Sequence, residues 1–510
     1  VSDPDRQAER DPDDWKKVRR FAVLDPAGEP PGSVFPTVYV ADELLVDLKA
    51  ADGDAIERLR SLAGQAGWTL EENDTLEDPL TDPEVREPIP RSRGAAVSVR
   101  VRLGVAEGRE RVASTPDAWD LLRQARRDDF GWRGISLNHV LTTDSMGLNP
   151  FKANPFKANP FKANPFKANP FKANAATVGI DSYAVLGFGG LQPVTYLGPE
   201  PAWDQSVKTH PVVAIFDTGW GDHPWLDGGV VIPPYLNSGE PIGIRPDLPT
   251  DPEEHPSLAE PMDGIFDDAA GHGTFIAGIV RQGCPDALIL PVRIADGEGV
   301  ILENDLIGAL GRLVELMGDT DLLAEHGGAN IDVLNLSFSY YHESPDDPTT
   351  ISEMARLLDE IRAQGCVVVC SAGNEATARP TYPADIPAAQ PDRHVSVGAL
   401  NPSDHSVAMF SNIGDWVEVY APGVSVLSTL PIDFDGGVQA GTRDDAYGHR
   451  RETLDADDFR GGFGVWSGTS FAAPVVAGRI AERILAGDSP ETAKAAVVKQ
   501  LWTDDHSRLP

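Results

Sequence analysis

The sequence predicts an α/β protein, with a three-layer, mostly parallel sheet preceded by a smaller N-terminal α/β domain. Three observations carry this. From about residue 206 onward, short apolar runs alternate with helix-like stretches, the pattern of buried parallel strands joined by crossover helices. Between residues 37 and 128 a separate set of apolar positions reads strand, helix, strand, helix. A proline-punctuated repeat lies between the two regions and fits neither. The expected division is 1–148 for an N-terminal domain, 149–176 for a repeat linker, 177–205 for a connecting segment and 206–510 for the large domain.

Composition narrows the classes. With 510 residues, two or more domains are expected. The 43 basic against 79 acidic side chains give a formal charge of −36. Such a chain repels phosphate backbones and anionic surfaces, so neither nucleic acid nor membrane is expected as a partner. No stretch of about 20 apolar residues exists to span a bilayer. The three cysteines, Cys284, Cys366 and Cys370, make no disulfide framework. The start lacks a basic-then-apolar leader pattern, which favours a cytoplasmic protein, or a secreted one if a leader has been removed.

In the N-terminal region, residues 37–48 read as a strand. Asp54 and Glu57 have capping-box spacing, with Asp54 as N-cap. Ile56, Leu59, Leu62 and Ala66 then share a helical face, and Gly67 can end the helix. Val97, Val99, Val101 and Leu103 alternate with Ser98, Arg100 and Arg102, as in a half-buried strand. Thr115-Pro116 opens a second helix through Trp119 and Leu122. No catalytic cluster is evident here.

Residues 149–174 repeat Asn-Pro-Phe-Lys-Ala five times and close on Asn174. Proline at every fifth position forbids a continuous helix or a central strand. The segment reads as a basic spacer that could reach about 80 Å if extended. Its Phe and Lys residues could also dock on a partner or on this protein's own cleft.

In the large domain, 211–216, 288–294, 332–338, 366–370, 395–400 and 417–421 are candidate parallel strands. Sites in such sheets lie at the carboxyl ends of strands, and four motifs fall at strand ends or helix starts. They are Asp217-Thr-Gly219, Gly271-His272-Gly273-Thr274, Ala372-Gly373-Asn374-Glu375, and Ser467-Gly-Thr469-Ser470-Phe-Ala-Ala-Pro474. Taken singly, each has an ordinary structural reading as a turn or helix cap.

Together, and in the order Asp, His, Ser, these motifs resemble the subtilase family of serine peptidases over roughly residues 206–485; Val333-Leu-Asn335-Leu-Ser337 matches a further block. The resemblance implies a subtilisin-like fold and a serine endopeptidase acting through an acyl-enzyme. Ser470 would be the nucleophile, His272 the base and then acid, and Asp217 the group that orients the imidazole. Asn374 and the Ser470 backbone N–H would form the oxyanion hole. Gly297, Glu298 and Gly299 resemble the edge on which an extended substrate pairs. Ser337, Phe338 and Ser339 resemble one wall of the first specificity pocket, and Ser371, Ala372 and Gly373 the other. Ser339 stands where the family usually has Gly, which would narrow that pocket. Glu298 and the acidic charge suggest basic peptides as substrates.

Departures from the family pattern carry further expectations. Phe275 follows Gly-Thr where many relatives have His or Pro. The short connection 281–287 leaves no room for the family's calcium loop. No cofactor is expected; calcium elsewhere stays open, and the histidines show no zinc spacing. Residues 432–463 read as a rim on the cleft or a surface insertion, and 222–268 as an extra stretch containing Asp251, Glu253 and Glu254. A peptide or protein substrate is the expected partner. The N-terminal domain is expected to act as a pro-segment or as a recruiting module. Two other readings of the whole chain are a transpeptidase that transfers the acyl group to an amine, and an inert fold used for binding.

Overall fold

A computed structural model describes residues 20–26, 29, 33–49, 53–73, 98–106, 114–128, 134–145, 180, 182–184, 189–204, 206–245, 249–258, 265–344, 352–434, 436–437, 443–452 and 459–501. The repeat at 149–174 and Val97 lie outside the described residues.

The N-terminal region contains β1 (Phe21–Val23), β2 (Val38–Asp47), α1 (Ala55–Gln65), β3 (Trp68–Asn73), β4 (Ser98–Val105), α2 (Ala118–Asp128) and β5 (Ile135–Thr143). The large domain begins with β6 (Gln192–Pro193), β7 (His210–Asp217), α3 (His272–Gly283), β8 (Leu288–Arg293), β9 (Val300–Leu302), α4 (Glu303–Gly318), α5 (Asp321–Glu325), β10 (Gly328–Leu336) and β11 (Phe338–Ser339). It continues through α6 (Ser352–Ala363), β12 (Val367–Ser371), β13 (His394–Leu400), β14 (Val419–Pro422), β15 (Val426–Thr429), β16 (Arg443–Ala446), β17 (His449–Glu452), β18 (Phe463–Trp466), α7 (Thr469–Leu485) and α8 (Pro490–Gln500).

The central sheet is parallel, in the order β14-β13-β12-β10-β7-β8. Its strands carry the six apolar runs expected from the sequence. Alternate side chains serve opposite layers. Val213, Ile215, Val333, Val367 and Val369 meet α3 and α7 through Phe275, Ile276, Val476 and Ile480. Val212, Ala214, Phe216, Leu334 and Val368 meet α4 and α6 through Leu306, Leu310, Leu357 and Ile361. This is the expected three-layer fold. The chain leaves β7 toward β8 on one side and β10 on the other, so a crevice opens at the carboxyl ends of β7 and β10.

The N-terminal sheet is antiparallel, in the order β5-β2-β4-β3 with β1 on β2. One face packs α1 and α2 through Leu44, Val46, Val101, Leu103, Leu59 and Leu122. Several local expectations are corrected here. Strands β1, β3 and β5 were not read from the sequence. Asp54 is the N-cap of α1 but makes no side-chain cap bond; its carboxylate lies 3.9 Å from Arg58, and Glu57 pairs with Arg60. The second helix is capped by Asp117, not by Thr115: its Oδ1 accepts the N–H groups of Trp119 (2.9 Å) and Asp120 (3.2 Å). Arg100, expected on a wet face, is buried, 3.8 Å from Glu43. That face is covered by the start of α4, where Asn138 Nδ2 donates to Glu43 and to Asn304 at 2.8 Å each.

Helix α3 packs closely on strand β15. A Cβ on Gly278 would strike the hydroxyls of Thr429 and Ser428. Those hydroxyls already donate to the carbonyls of Thr274 (2.8 Å) and Phe275 (2.6 Å). Gly278→Ala is expected to destabilise by about 1–3 kcal/mol through overpacking. Calorimetry at matched scan rate should read it as a lowered Tm.

Candidate active site

Asp217 ends the buried strand β7, and the chain turns sharply after it. Its Oδ1 accepts the Thr218 N–H (2.8 Å) and the Nδ1–H of His272 (2.7 Å). His272 opens α3. A Cβ on the next residue, Gly273, would strike the Gly219 carbonyl, so only glycine lets the helix start come this close to the strand end. The imidazole lies against Trp466 and Phe471, ring centroids 5.6 and 5.2 Å away. Packing against Phe471 brings His272 beside α7, whose second residue is Ser470.

The Ser470 hydroxyl donates to the Ser337 carbonyl at 3.0 Å. His272 Nε2 has no hydrogen-bond partner among the described residues. Asn374 follows β12. Its Oδ1 accepts from the Thr469 N–H and hydroxyl at 3.0 Å each, leaving a buried Nδ2 without a partner among the described residues. The sequence-predicted residues Asp217, His272, Asn374 and Ser470 thus gather around the start of α7, with Asp217 and His272 in direct contact.

The crevice is filled by the chain's own strand β5. Val140, Leu141 and Thr142 pair antiparallel with Leu302, Ile301 and Val300 of β9. On the other side, Thr142 and Thr143 pair with Ser339 and Phe338 of β11. The Asp144 N–H then donates to the Ser337 carbonyl (3.1 Å), and the Asp144 carbonyl accepts the Ser470 N–H (3.0 Å). The expected edge segment is shifted slightly. The Gly299 carbonyl accepts the Thr143 N–H at 3.0 Å, but the ladder itself runs over Val300–Leu302. Gly297 and Glu298 instead belong to the turn before it, where Asp296 Oδ1 accepts the N–H groups of Glu298 (3.1 Å) and Val300 (2.8 Å).

The residues expected to wall the first pocket flank Asp144. Ser339 Oγ donates to Asp144 Oδ1 (2.7 Å), and Ser371 Oγ donates to Asp144 Oδ2 (2.6 Å). Phe338 contributes backbone, its ring being in the core. The Ala372 carbonyl is used by Thr381 and Asn412, and the Gly373 N–H by Thr469. The segment in the cleft therefore offers an acid to these two hydroxyls. Burial, with Glu375 adding its charge, pushes the Asp144 carboxyl up to about 8, against the opposing pull of the Ser371 and Ser339 hydroxyls.

Two functional features escaped the sequence reading. Glu253, one acid in an acidic stretch, is buried behind the Asp217–His272 pair. It accepts from the Thr218 and Thr274 hydroxyls and from the Gly273 N–H (3.0 Å), tying the end of β7 to the start of α3. Burial raises its carboxyl above the usual range. The other feature is a buried clamp on β5. His139 Nδ1 lies 2.6 Å from Glu303, and Nε2 lies 2.7 Å from Glu343. Burial alone would lower His139, but the two carboxylates outweigh it and hold it at about 9.

His139, His342 and Glu343 form the one group with metal-ligand proximity among the described residues. Both His139 nitrogens already face carboxylates, and His342 Nδ1 accepts the Ser344 N–H at 2.9 Å. The donor set fits an ion-pair network better than a cation.

The model of the Subtilase family matches residues 208–506, and the chain belongs to that family. Fervidolysin of Fervidobacterium pennivorans is 29% identical over 293 residues, 55% of this chain and 35% of that protein. Subtilisin NAT of Bacillus subtilis subsp. natto is 28% identical over 225 residues, 42% of this chain and 46% of that protein. An intracellular serine protease of Paenibacillus polymyxa is 26% identical over 294 residues, 55% of this chain and 68% of that one. The chain thus spans less than half of fervidolysin and of subtilisin NAT. The crystal structure of fervidolysin, a keratinolytic enzyme related to subtilisin, covers 91% of this chain and 57% of that one at 21% identity and a TM-score of 0.45.

Docking of β5 is expected to weaken as the solution turns alkaline. His139 rises from 6.5 to about 9, so its contribution is complete below about 6.5 and lost as pH passes through about 9. Asp144 rises from 3.8 to about 8, so its docked form keeps a proton that the undocked chain loses earlier; docking weakens from about pH 4 to about 8. Both act in one direction. Amide exchange at Leu141–Thr143, corrected for intrinsic rates, should give an opening free energy that falls between about pH 6 and 10. A flat profile would mean that neither group titrates in the docked strand.

Proposed function

We propose that this chain is a serine endopeptidase whose cleft is held shut by its own N-terminal domain. The observation that carries this reading is the Asp144 carbonyl resting on the Ser470 N–H, in a strand paired on both sides. That is how an extended substrate would present a peptide bond for attack.

The chemistry follows from the residues. Rotation about the Ser470 Cα–Cβ bond takes its hydroxyl from the Ser337 carbonyl toward His272 Nε2. The proton passes to Nε2 as Oγ bonds to the substrate carbonyl carbon. Asp217, buried on Nδ1, keeps the ring in the tautomer that accepts at Nε2 and stabilises the imidazolium. The oxygen that gains charge sits at the start of α7, where the Ser470 N–H and the unpartnered Asn374 Nδ2 can donate to it. Collapse breaks the C–N bond, and the amine leaves with the proton from His272. Water then splits the ester by the same route in reverse, returning the serine hydroxyl and a carboxylate. Phe471 and Trp466 shield the imidazole from solvent on the sides they cover.

The N-terminal domain serves as a substrate-like plug. Besides the β5 ladder it is held by Arg126 on Glu343 (3.1 Å) and by Arg379 donating to the Pro36 carbonyl (2.9 Å).

A fluorophosphonate probe is expected to label Ser470, with labelling lost in His272→Ala and faster once the N-terminal domain has been released. Mass mapping of the labelled peptide checks this; labelling that survives His272→Ala rejects the triad. Asn374→Ala is expected to lower kcat/KM by about 100- to 1,000-fold with little change in KM, the size of loss known for an oxyanion donor of this kind. Steady-state kinetics on a peptide substrate measures it.

A further inference from the structure

The plug is more than backbone. The side chain of Asp144 is buried between the two pocket walls, with a serine hydroxyl from one wall on each carboxyl oxygen. We propose that this pocket is built to receive a short carboxylic side chain, aspartic acid, on the residue before the scissile bond, and that Asp144–Ser145 is the first bond this chain cuts.

Four features support it, and the inference rests on the peptidase reading above. The donors match the ligand: Ser339 and Ser371 face each other across the pocket at 2.7 and 2.6 Å from Oδ1 and Oδ2. A glycine at 339 would supply no donor on that wall. The surroundings are crowded. Glu375 is near enough for its charge to act on the Asp144 carboxyl; it is fixed by the Tyr341 hydroxyl (3.0 Å) and Asn412 Nδ2 (3.1 Å), and a Cβ on Gly373 would come within 2.8 Å of it and 3.2 Å of Ser339 Oγ. A side chain longer than aspartate would crowd this group. Burial and the Glu375 charge favour the neutral, protonated acid in the pocket, so asparagine, of the same shape, is the nearest substitute. Finally, the bond is in reach. A Cβ on Gly468 would strike the Asp144 carbonyl and come within 2.9 Å of Ser145 Cα, so the chain passes tightly over the start of α7. In the cut, Ser470 Oγ bonds to the Asp144 carbonyl carbon, the Ser145 nitrogen leaves with the proton from His272, and water releases the Asp144 carboxylate.

The experiment uses the full chain. Wild type and Ser470→Ala are incubated and read by intact mass, with active sites counted by fluorophosphonate. Wild type should show new termini at Asp144 and Ser145; Ser470→Ala should stay intact. Processing should be slowed about tenfold or less in Asp144→Asn and at least 50-fold in Asp144→Leu and Asp144→Lys. Because those variants also alter docking, the processed enzyme is assayed on fluorogenic peptides spanning Leu-Thr-Thr-X-Ser. X as Asp should exceed Leu, Lys and Glu at least 50-fold in kcat/KM. Ser339→Ala and Ser371→Ala should each cut the Asp-to-Leu ratio at least tenfold. Labelled enzyme that prefers Leu or Lys overturns the pocket inference while leaving the peptidase reading intact. Labelled enzyme cut only elsewhere overturns the bond assignment. Absence of labelling at about pH 10 as well, where the docked strand is expected to be released, overturns the peptidase reading, and this inference with it.

Discussion

Between β9 and β11 lies a gap one strand wide, and the organisation of the molecule follows from how that gap is filled. Both flanking edges present unpaired N–H and C=O groups at the bottom of a crevice, where leaving them unsatisfied is costly. Strand β5 satisfies both at once: Val140–Thr142 on β9, Thr142–Thr143 on β11, and the Asp144 N–H on the Ser337 carbonyl. The same ladder carries the next carbonyl onto the Ser470 N–H. On the proposed reading, an extended peptide that met the two edges in this register would have its carbonyl delivered there, so the geometry of pairing would also be the geometry of attack.

Backbone pairing alone does not set register. A slip by one residue would keep much of the ladder and turn every side chain to the opposite face. Two buried polar contacts make such a slip expensive. His139 sits between Glu303 and Glu343, and Asp144 sits between Ser339 and Ser371. Moving the strand would leave Glu303 and Glu343 buried without the imidazole and take the Asp144 carboxyl from its two serine hydroxyls. Breaking a buried pair costs about 3–5 kcal/mol, more than one ladder hydrogen bond contributes. The clamp at one end and the acid at the other fix which bond lies over the serine.

What could be read from the sequence follows the same logic. The parallel strands were legible because burial on both faces makes them continuous apolar runs, as in Val212–Phe216 and Val367–Cys370, and the motif residues stand at their ends. Strand β5 was not, because Ile135–Thr143 interleaves Ser136, Asn138, His139, Thr142 and Thr143. Two of them, Asn138 and His139, are satisfied by Asn304, Glu303 and Glu343, more than 160 positions away. No local pattern encodes such partners. Arg100 and Glu253 escaped for the same reason: a charged residue reads as surface unless its distant counter-group is known. The Asp54 capping box had the right spacing, yet its side chains found Arg58 and Arg60 in solvent, where an ion pair and a cap differ little in energy.

Among the described residues, the contacts that hold the plug lie on one side of the bond over Ser470. His139 with its two glutamates, the β9 and β11 pairings, the Asp144 side chain and the Arg126 and Arg379 contacts belong to residues up to 144. Hydrolysis after Asp144 would remove none of them. It would add a carboxylate beside Ser470, in a site that disfavours a second charge on Asp144 itself. On the proposed reading, cutting and release would be separable steps. The first would need only the local swing of the Ser470 hydroxyl away from the Ser337 carbonyl, whereas the second would have to break a two-sided ladder and a buried ion-pair clamp. A cleaved chain would then stay closed until the His139 clamp and the acid in the pocket are weakened.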